Sequence, residues 1–163
     1  MKKIETTTIW EQYDHENDLE ATDRMLLEEA KKAQAKAYAP YSEFKVGAAL
    51  LLEDGTVVWG NNQENVAYPS GLCAERTALY ACGANNPGKR IDALAVIAGS
   101  KNFTLEEIVS PCGACRQVIS EYENMQESPI RIIMKGDPDK VLICSGIEAL
   151  LPLAFKCPPL ANK

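Results

Sequence analysis

Apolar and polar residues follow one another with spacings that change along the chain. Between residues 23 and 37, apolar side chains recur at three and four residues, as on the buried face of a helix. They are Leu26, Ala30, Ala33 and Ala37. Pro40 predicts the end of this helix. The apolar segments 46–52 and 57–60 follow, separated by a turn whose Asp54-Gly55 pair favours a tight connection. This part of the chain is therefore predicted as a helix followed by a β-hairpin.

The second half of the chain shows the same two kinds of pattern. Helices are predicted at residues 74–82, which are rich in helix-forming residues, and at 111–122, where a proline stands at the first position. The run 93–98 is almost wholly apolar, as expected of a strand buried on both faces. Two further strands are predicted at 130–134 and 141–144. Helices and strands thus alternate along most of the chain.

The link between the last two predicted strands decides their relative direction. It is too short for the helical crossover that parallel strands need, so we expect this pair to be antiparallel. A short helical segment is predicted after them, at residues 147–151. The order of elements predicts an α/β fold, with a three-layer α/β/α arrangement around a mixed five-stranded sheet.

The first 22 residues differ from the rest. They show no sustained period and carry Asp14, Glu16 and Asp18 close together. We predict that residues 1–22 form an N-terminal extension and that residues 23–163 form one domain. A chain of 163 residues is large enough to bury a core without disulfides.

Charge and composition narrow the possible partners and location. With 23 acidic and 17 basic residues the net charge is -6, and no basic stripe is present to neutralise a phosphate backbone, so we expect no nucleic-acid partner. The longest apolar run, 46–52, is far shorter than the roughly 20 residues of a membrane-spanning helix, so we expect no membrane partner. The 6 cysteines, without a secretory signal, are expected to be reduced thiols or metal ligands in the cytoplasm.

Cysteines stand at the beginning of both central predicted helices. Cys73 precedes one, and Cys112 and Cys115 lie three residues apart at the start of the other, so that these two share a helix face. The free N–H groups and the positive dipole end of a helix N-terminus favour thiolates. Thiolate sulfur is a good ligand for zinc, so the three cysteines are candidate zinc ligands.

A fourth protein ligand would make the site structural, whereas an open position would make it catalytic. Cys82 lies roughly 13 Å further along the helix than Cys73 and on about its opposite side. Cys144 and Cys157 show no paired spacing, although the sequence leaves their proximity open. His15 is the only histidine and lies in the irregular extension. The pattern favours three protein ligands and one water molecule.

Two residues next to Cys73 are candidates for the chemistry. Glu75 is placed in the first turn of the helix, beside the metal and without coordinating it, where a carboxylate can shuttle protons. Arg76 is placed to offset the negative charge of three thiolates. Taken singly, Glu75 has the alternative of an exposed acid at a helix N-terminus, and Arg76 that of a surface charge.

Five segments together resemble the zinc-dependent nucleoside deaminases, and cytidine deaminase in particular. They are Cys73-Ala-Glu-Arg76, Pro111-Cys-Gly-Ala-Cys-Arg116, Tyr41 to Ala49, Asn62-Gln-Glu-Asn65 and Leu150 to Phe155. The resemblance extends from about Asp23 to Phe155. It implies a cytidine deaminase-like fold that deaminates cytidine and deoxycytidine to uridine and deoxyuridine in pyrimidine salvage. Cysteine at position 73, where other branches have histidine, resembles the short, homotetrameric branch with one zinc ion per subunit.

The resemblance also implies roles in binding the nucleoside. Phe44 would pack on the pyrimidine ring, Asn62 and Glu64 would bind the ribose hydroxyls, and the backbone N–H of Ala74 would hold a base oxygen. Without the resemblance, Phe44 has the alternative of an ordinary core residue, and Asn62 and Glu64 that of polar residues after a hairpin.

Two further roles implied by the resemblance concern assembly. Residues that match Tyr68 and Phe155 reach into the site of a neighbouring subunit, which implies a homotetramer. The alternative for both is core packing.

Three other functions remain open from the sequence. The same zinc chemistry would serve a deaminase of a cytosine-containing antibiotic or of a modified nucleoside. Editing of RNA or DNA is opposed by the acidic charge and by the ribose-binding pattern. A zinc-stabilised binding module without turnover would keep the metal but would not need Glu75.

Overall fold

The computed structural model of the chain describes residues 1–136 and 139–156. Within these residues it has three α-helices, which are α1 (Ala21–Ala35), α2 (Ala74–Asn85) and α3 (Gly113–Gln126). The six strands are β1 (Glu11–Tyr13), β2 (Phe44–Leu52), β3 (Val57–Asn61), β4 (Ile91–Ser100), β5 (Arg131–Lys135) and β6 (Val141–Ser145). Short 3-10 helices lie at Glu16–Asp18, Tyr68–Ser70 and Ile147–Ala149. None of the helices in the described ranges is long and apolar enough to cross a membrane.

The strands form one mixed sheet in the order β1-β6-β5-β4-β2-β3. Among the neighbouring strands in the described part of the chain, only β4 and β5 pair in parallel, and β5 pairs with β6 in the antiparallel direction, as predicted. The prediction of five strands is wrong, because β1 adds a sixth at the edge beside β6. Three residues are too few to show a strand period, and their pairing partner lies near the other end of the chain.

Successive side chains of each strand point to opposite faces of the sheet, and each face carries its own apolar core. In β2, Ala48 and Leu50 join one core with side chains of α2 and α3, whereas Ala49 and Leu51 join the other with side chains of α1. The sheet therefore lies between α1 on one side and the two cysteine-bearing helices on the other. The predicted three-layer arrangement is confirmed in these residues.

Two glycines let the helices approach the sheet closely. A Cβ on Gly47 in β2 would lie 2.1 Å from the carbonyl oxygen of Ala30 in α1. A Cβ on Gly60 in β3 would lie 2.3 Å from the carbonyl oxygen of Ala74, at the beginning of α2. Both distances are shorter than real Cβ contacts allow, so only glycine fits at either position. Gly60 thereby brings the start of α2, and with it Cys73, against the sheet.

Ion pairs join the first residues of the chain to the sheet and to α1. The guanidinium of Arg131 donates to Glu11 of β1 at 3.2 Å and to the buried carboxylate of Asp23 at 3.0 Å. The amine of Lys31 in α1 donates to Glu16 at 2.9 Å. These contacts hold residues 11–16 against the rest of the fold. The division into an extension of residues 1–22 and a domain of residues 23–163 stays a prediction.

Candidate metal centre

The two cysteine-bearing helices begin at the same point of the fold. Cys73 is the N-cap residue of α2 and Cys112 that of α3, which begins at Gly113, two positions later than the predicted start at Pro111. The Sγ atom of Cys112 lies 3.7 Å from that of Cys73 and 3.5 Å from that of Cys115. All three sulfurs lie within 4.8 Å of one another. Ligands about 2.3 Å from a tetrahedral zinc ion are separated by about 3.8 Å, so this group fits zinc.

The other candidate ligands lie elsewhere. Cys82 and Cys144 are buried in the apolar core, and burial raises the pKa of both thiols, that of Cys144 to about 11. His15 is exposed and lies 3.9 Å from Asp139. Cys157 lies outside the described residues. Within the described ranges, no other group of three histidine, cysteine or acidic side chains is close enough to hold a metal ion.

Hydrogen bonds distribute charge unevenly among the sulfurs. The pKa of Cys73 is lowered to about 5, first by the hydrogen bond from the Cys115 thiol and then by the guanidinium of Arg76. The Nη2 atom of Arg76 donates to Cys73 Sγ across 3.6 Å. The interaction with Cys73, together with burial, raises the pKa of Cys115. Arg76 therefore lies where the sequence places it, beside the sulfur that carries negative charge.

Glu75 is buried in the first turn of α2, with only 4% of its surface exposed. Burial raises the pKa of its carboxyl group, because the charged form loses water contacts. An acid in such a position can hold a proton nearer to neutral pH than an exposed acid can. The alternative of an exposed helix-capping acid is wrong, because the side chain is enclosed.

The side chain of Asn62 forms hydrogen bonds with the backbone at the beginning of β2. Its Nδ2 donates to the carbonyl oxygen of Phe44 at 2.9 Å, and its Oδ1 accepts from the backbone N–H of Val46 at 2.8 Å. One amide hydrogen and one lone pair of the carboxamide are left for a ligand. The sequence did not reveal this contact, since it depends on the register of neighbouring strands.

Glu64 binds the turn that precedes Phe44. Its carboxylate accepts from the backbone N–H of Tyr41 at 2.9 Å, from that of Ser42 at 3.3 Å and from the Ser42 hydroxyl. These hydrogen bonds, with that of the Ser42 hydroxyl first, lower the pKa of Glu64. The backbone N–H of Phe44 in turn donates to Ser42 Oγ at 3.0 Å. The two predicted ribose-binding side chains thus also fix the position of Phe44.

Phe44 is only half-buried and stacks on Phe103, which the sequence did not single out. The ring centroids lie 6.1 Å apart and the ring planes differ by 8°. Phe103 is an exposed aromatic residue in the irregular segment between β4 and α3. No period or motif in that segment could have identified it.

The remaining predicted site residues differ in exposure. Ala74 is fully buried at the first position of α2. Tyr68 is 91% exposed and Phe155 is 72% exposed, so core packing within one chain is wrong for both. Their predicted contacts with substrate in a neighbouring subunit stay predictions.

Comparison with known proteins places this geometry in a family. The sequence profile described as "Cytidine and deoxycytidylate deaminase zinc-binding region" matches residues 20–128, which include all three clustered cysteines, and the prediction of a zinc cofactor is thereby confirmed.

The matches to individual relatives extend over most of the length of each relative. The chain is 46% identical to a cytidine deaminase of Sporosarcina psychrophila over 130 residues, which are 80% of this chain and 88% of the relative. It is 43% identical to a cytidine deaminase of Halalkalibacterium halodurans over 133 residues, 81% of this chain and 92% of the relative. A crystal structure of cytidine deaminase from Burkholderia pseudomallei superposes with a TM-score of 0.69 and 42% identity, covering 80% of this chain and 97% of that one. The chain belongs to the cytidine and deoxycytidylate deaminase family.

Proposed function

We propose that the chain catalyses the hydrolytic deamination of cytidine and deoxycytidine to uridine and deoxyuridine, with release of ammonia. The observation that carries the proposal is the enclosed carboxylate of Glu75, two residues after Cys73 in a helix whose first turn meets two further cysteines. Relatives that share more than two fifths of its residues are cytidine deaminases.

Cys73, Cys112 and Cys115 hold the zinc ion in this proposal. The separations of 3.7 Å and 3.5 Å between their sulfurs match the edges of a tetrahedron around zinc. Bound zinc supplies Lewis acidity that lowers the pKa of water to about 7. Arg76 compensates the negative charge of the thiolates through its contact with Cys73.

Glu75 moves the protons of the reaction. It takes a proton from the attacking water, delivers a proton to N3 of the pyrimidine, and later transfers a proton to the departing nitrogen. A carbon–oxygen bond forms at C4 and the carbon–nitrogen bond at C4 breaks. One water and one cytidine therefore become one uridine and one ammonia. Its raised pKa suits a group that must both accept and release a proton near neutral pH.

The nucleoside lies against side chains that the fold already orients. The apolar face of Phe44 packs on the pyrimidine, and the N–H of Ala74 donates to a base oxygen. Glu64, whose carboxyl group has a lowered pKa, accepts hydrogen bonds from the ribose hydroxyls. The amide hydrogen and the lone pair of Asn62 that β2 does not use also bind these hydroxyls. Free sugar hydroxyls held in this way favour a free nucleoside over a polynucleotide, as the net charge of -6 also does.

The working form in this proposal is a cytoplasmic homotetramer that serves pyrimidine salvage. The exposure of Tyr68 and Phe155 supports it, because large aromatic side chains exposed on one chain are available to a neighbouring one. Light scattering of the parent and of Tyr68→Ala would test it. A parent that is monomeric while fully active would contradict the assembly.

The test of the reaction is an assay of ammonia release and of ultraviolet absorbance across four substrates. They are cytidine, deoxycytidine, adenosine and a cytosine-containing antibiotic. Turnover of the first two supports the proposal. Turnover of the antibiotic alone would assign the other substrate class, and turnover of none, with zinc bound, would assign a binding module.

A further inference from the structure

The segment between β4 and α3 connects the predicted base-binding side chain to the metal centre. It leaves the sheet after Ser100, contains Phe103, and ends at Cys112. Ser100 pairs directly with Phe44 in the sheet. A single short stretch of chain therefore contacts Phe44 at one end and carries a metal-binding sulfur at the other.

The aromatic pair lies on the metal side of the sheet. Side chains alternate along β2, and Val46 and Ala48 pack in the core that contains α2 and α3. Phe44 shares their parity and so their face. Lys45, of opposite parity, reaches α1, where its amine donates to the carbonyl oxygen of Ala35. Phe103 therefore stacks on Phe44 from the side of the sheet that carries the cysteines.

The stack covers only part of the Phe44 ring. Parallel rings in contact are separated by about 3.5 Å, so a centroid distance of 6.1 Å implies a lateral offset of about 5 Å. This is the offset arrangement that aromatic pairs prefer. Phe103 therefore contacts the Phe44 ring near its edge and covers little of either ring face.

Hydrogen bonds fix the backbone of Phe44 but not its ring. Ser42 binds its N–H and Asn62 binds its carbonyl oxygen. The ring itself is half-buried, and its stacking partner in the described residues is Phe103. Contact with Phe103 is therefore one interaction that can set the orientation of the ring.

We infer that Phe103 is a positioning residue for the pyrimidine base, which holds the Phe44 ring in the orientation that the base requires. The inference rests on the proposed function, because it takes Phe44 as the surface on which the base packs. Phe103 acts through Phe44 and does not touch the reacting atoms.

Replacement of Phe103 tests this role through binding. An aromatic pair contributes about 0.5–1.5 kcal/mol, so Phe103→Ala should raise the KM for cytidine and the Kd for uridine about twofold to tenfold, with kcat unchanged. Phe103→Tyr should restore both constants, whereas Phe103→Leu, which keeps apolar bulk without a ring, should not. Because the side chain is 50% exposed, the Tm of all three should stay near that of the parent.

The same replacement in a chain that lacks the Phe44 ring shows whether Phe103 acts through that ring or contacts the base directly. In a Phe44→Leu chain, the change of Phe103 to Ala should add nothing to the Kd for uridine, since the ring on which it acts is gone. An equal additional loss in that background would overturn the positioning role, as would a parent-like Kd in Phe103→Ala. A parent that binds uridine without converting cytidine would overturn the proposed function instead, and the uridine constants would still decide the role of Phe103.

Discussion

The guanidinium of Arg76 turns back along the first turn of α2 and donates to the sulfur of Cys73 across 3.6 Å. The two residues are three positions apart and therefore lie on the same helix face. Three thiolates around one divalent ion leave a net negative charge, which weakens the acidity of a bound water. In the proposed mechanism, Arg76 offsets that charge at the sulfur that lies at the N-cap of α2.

Arg76→Ala should lower kcat/KM for cytidine by about tenfold to a hundredfold, the usual effect of removing a group that binds a metal ligand. Zinc content and the zinc dissociation constant should be measured on the same samples. Arg76→Lys is the matched control, which keeps the charge and loses the planar donor. Parent-like zinc binding and turnover in the alanine variant would remove Arg76 from the mechanism.

Glu75→Gln should lower kcat by about a hundredfold to ten-thousandfold, since a positioned acid or base contributes that much and the amide cannot transfer the proton. The side chains have similar volume, so zinc content and Tm should stay close to those of the parent. Stopped and continuous assays of ammonia release measure the loss. Full activity in this variant would assign the proton transfers to another group.

Gly60→Ala and Gly47→Ala form a matched pair on the two faces of the sheet. Each would force a Cβ against a helix backbone, at 2.3 Å from Ala74 and 2.1 Å from Ala30, and each should cost about 1–3 kcal/mol of stability. Only the change at Gly60 displaces the start of α2 beside Cys73. Zinc titration should therefore show weaker binding for Gly60→Ala alone, and equal weakening in both would contradict this placement.

Glu16 makes the free energy of unfolding depend on pH in the acid range. Its hydrogen bond with Lys31 lowers the pKa of its carboxyl group below the ordinary value of 4.5. A carboxyl group whose pKa is lower in the folded chain stabilises the fold above pH 4.5 and loses that contribution as the pH falls through the lowered pKa. The contribution is at most about 1 kcal/mol, since the pair is partly exposed.

Glu16→Gln should therefore lower Tm modestly at pH 7, and the difference from the parent should shrink as the pH falls below 4.5. Glu106→Gln, at an exposed acid without an ion pair in the described part of the chain, is the control and should change little. A difference between parent and Glu16→Gln that grows at acid pH would contradict the assignment.

The metal centre was predictable because local rules produce it. Cys112 and Cys115 share a face by helix geometry alone, and the positions of Cys73, Glu75 and Arg76 follow from one helix beginning. The convergence of two helix N-termini on one side of a sheet was the single long-range assumption. The structure bears it out.

Other features depend on contacts that no spacing records. Glu11–Tyr13 forms strand β1 because it pairs with the edge of β6, a strand near the other end of the chain. The stack of Phe103 on Phe44 depends on the path of an irregular segment. The hydrogen bonds between the Asn62 carboxamide and the backbone of β2 depend on strand register. None of these leaves a period in the sequence.

X-ray absorption at the zinc edge of the zinc-loaded chain tests the central claim most directly. Three protein sulfurs with one open position predict three sulfur ligands at about 2.3 Å and one oxygen at about 2.0–2.2 Å. Four sulfur ligands, or fewer than three, would contradict the account.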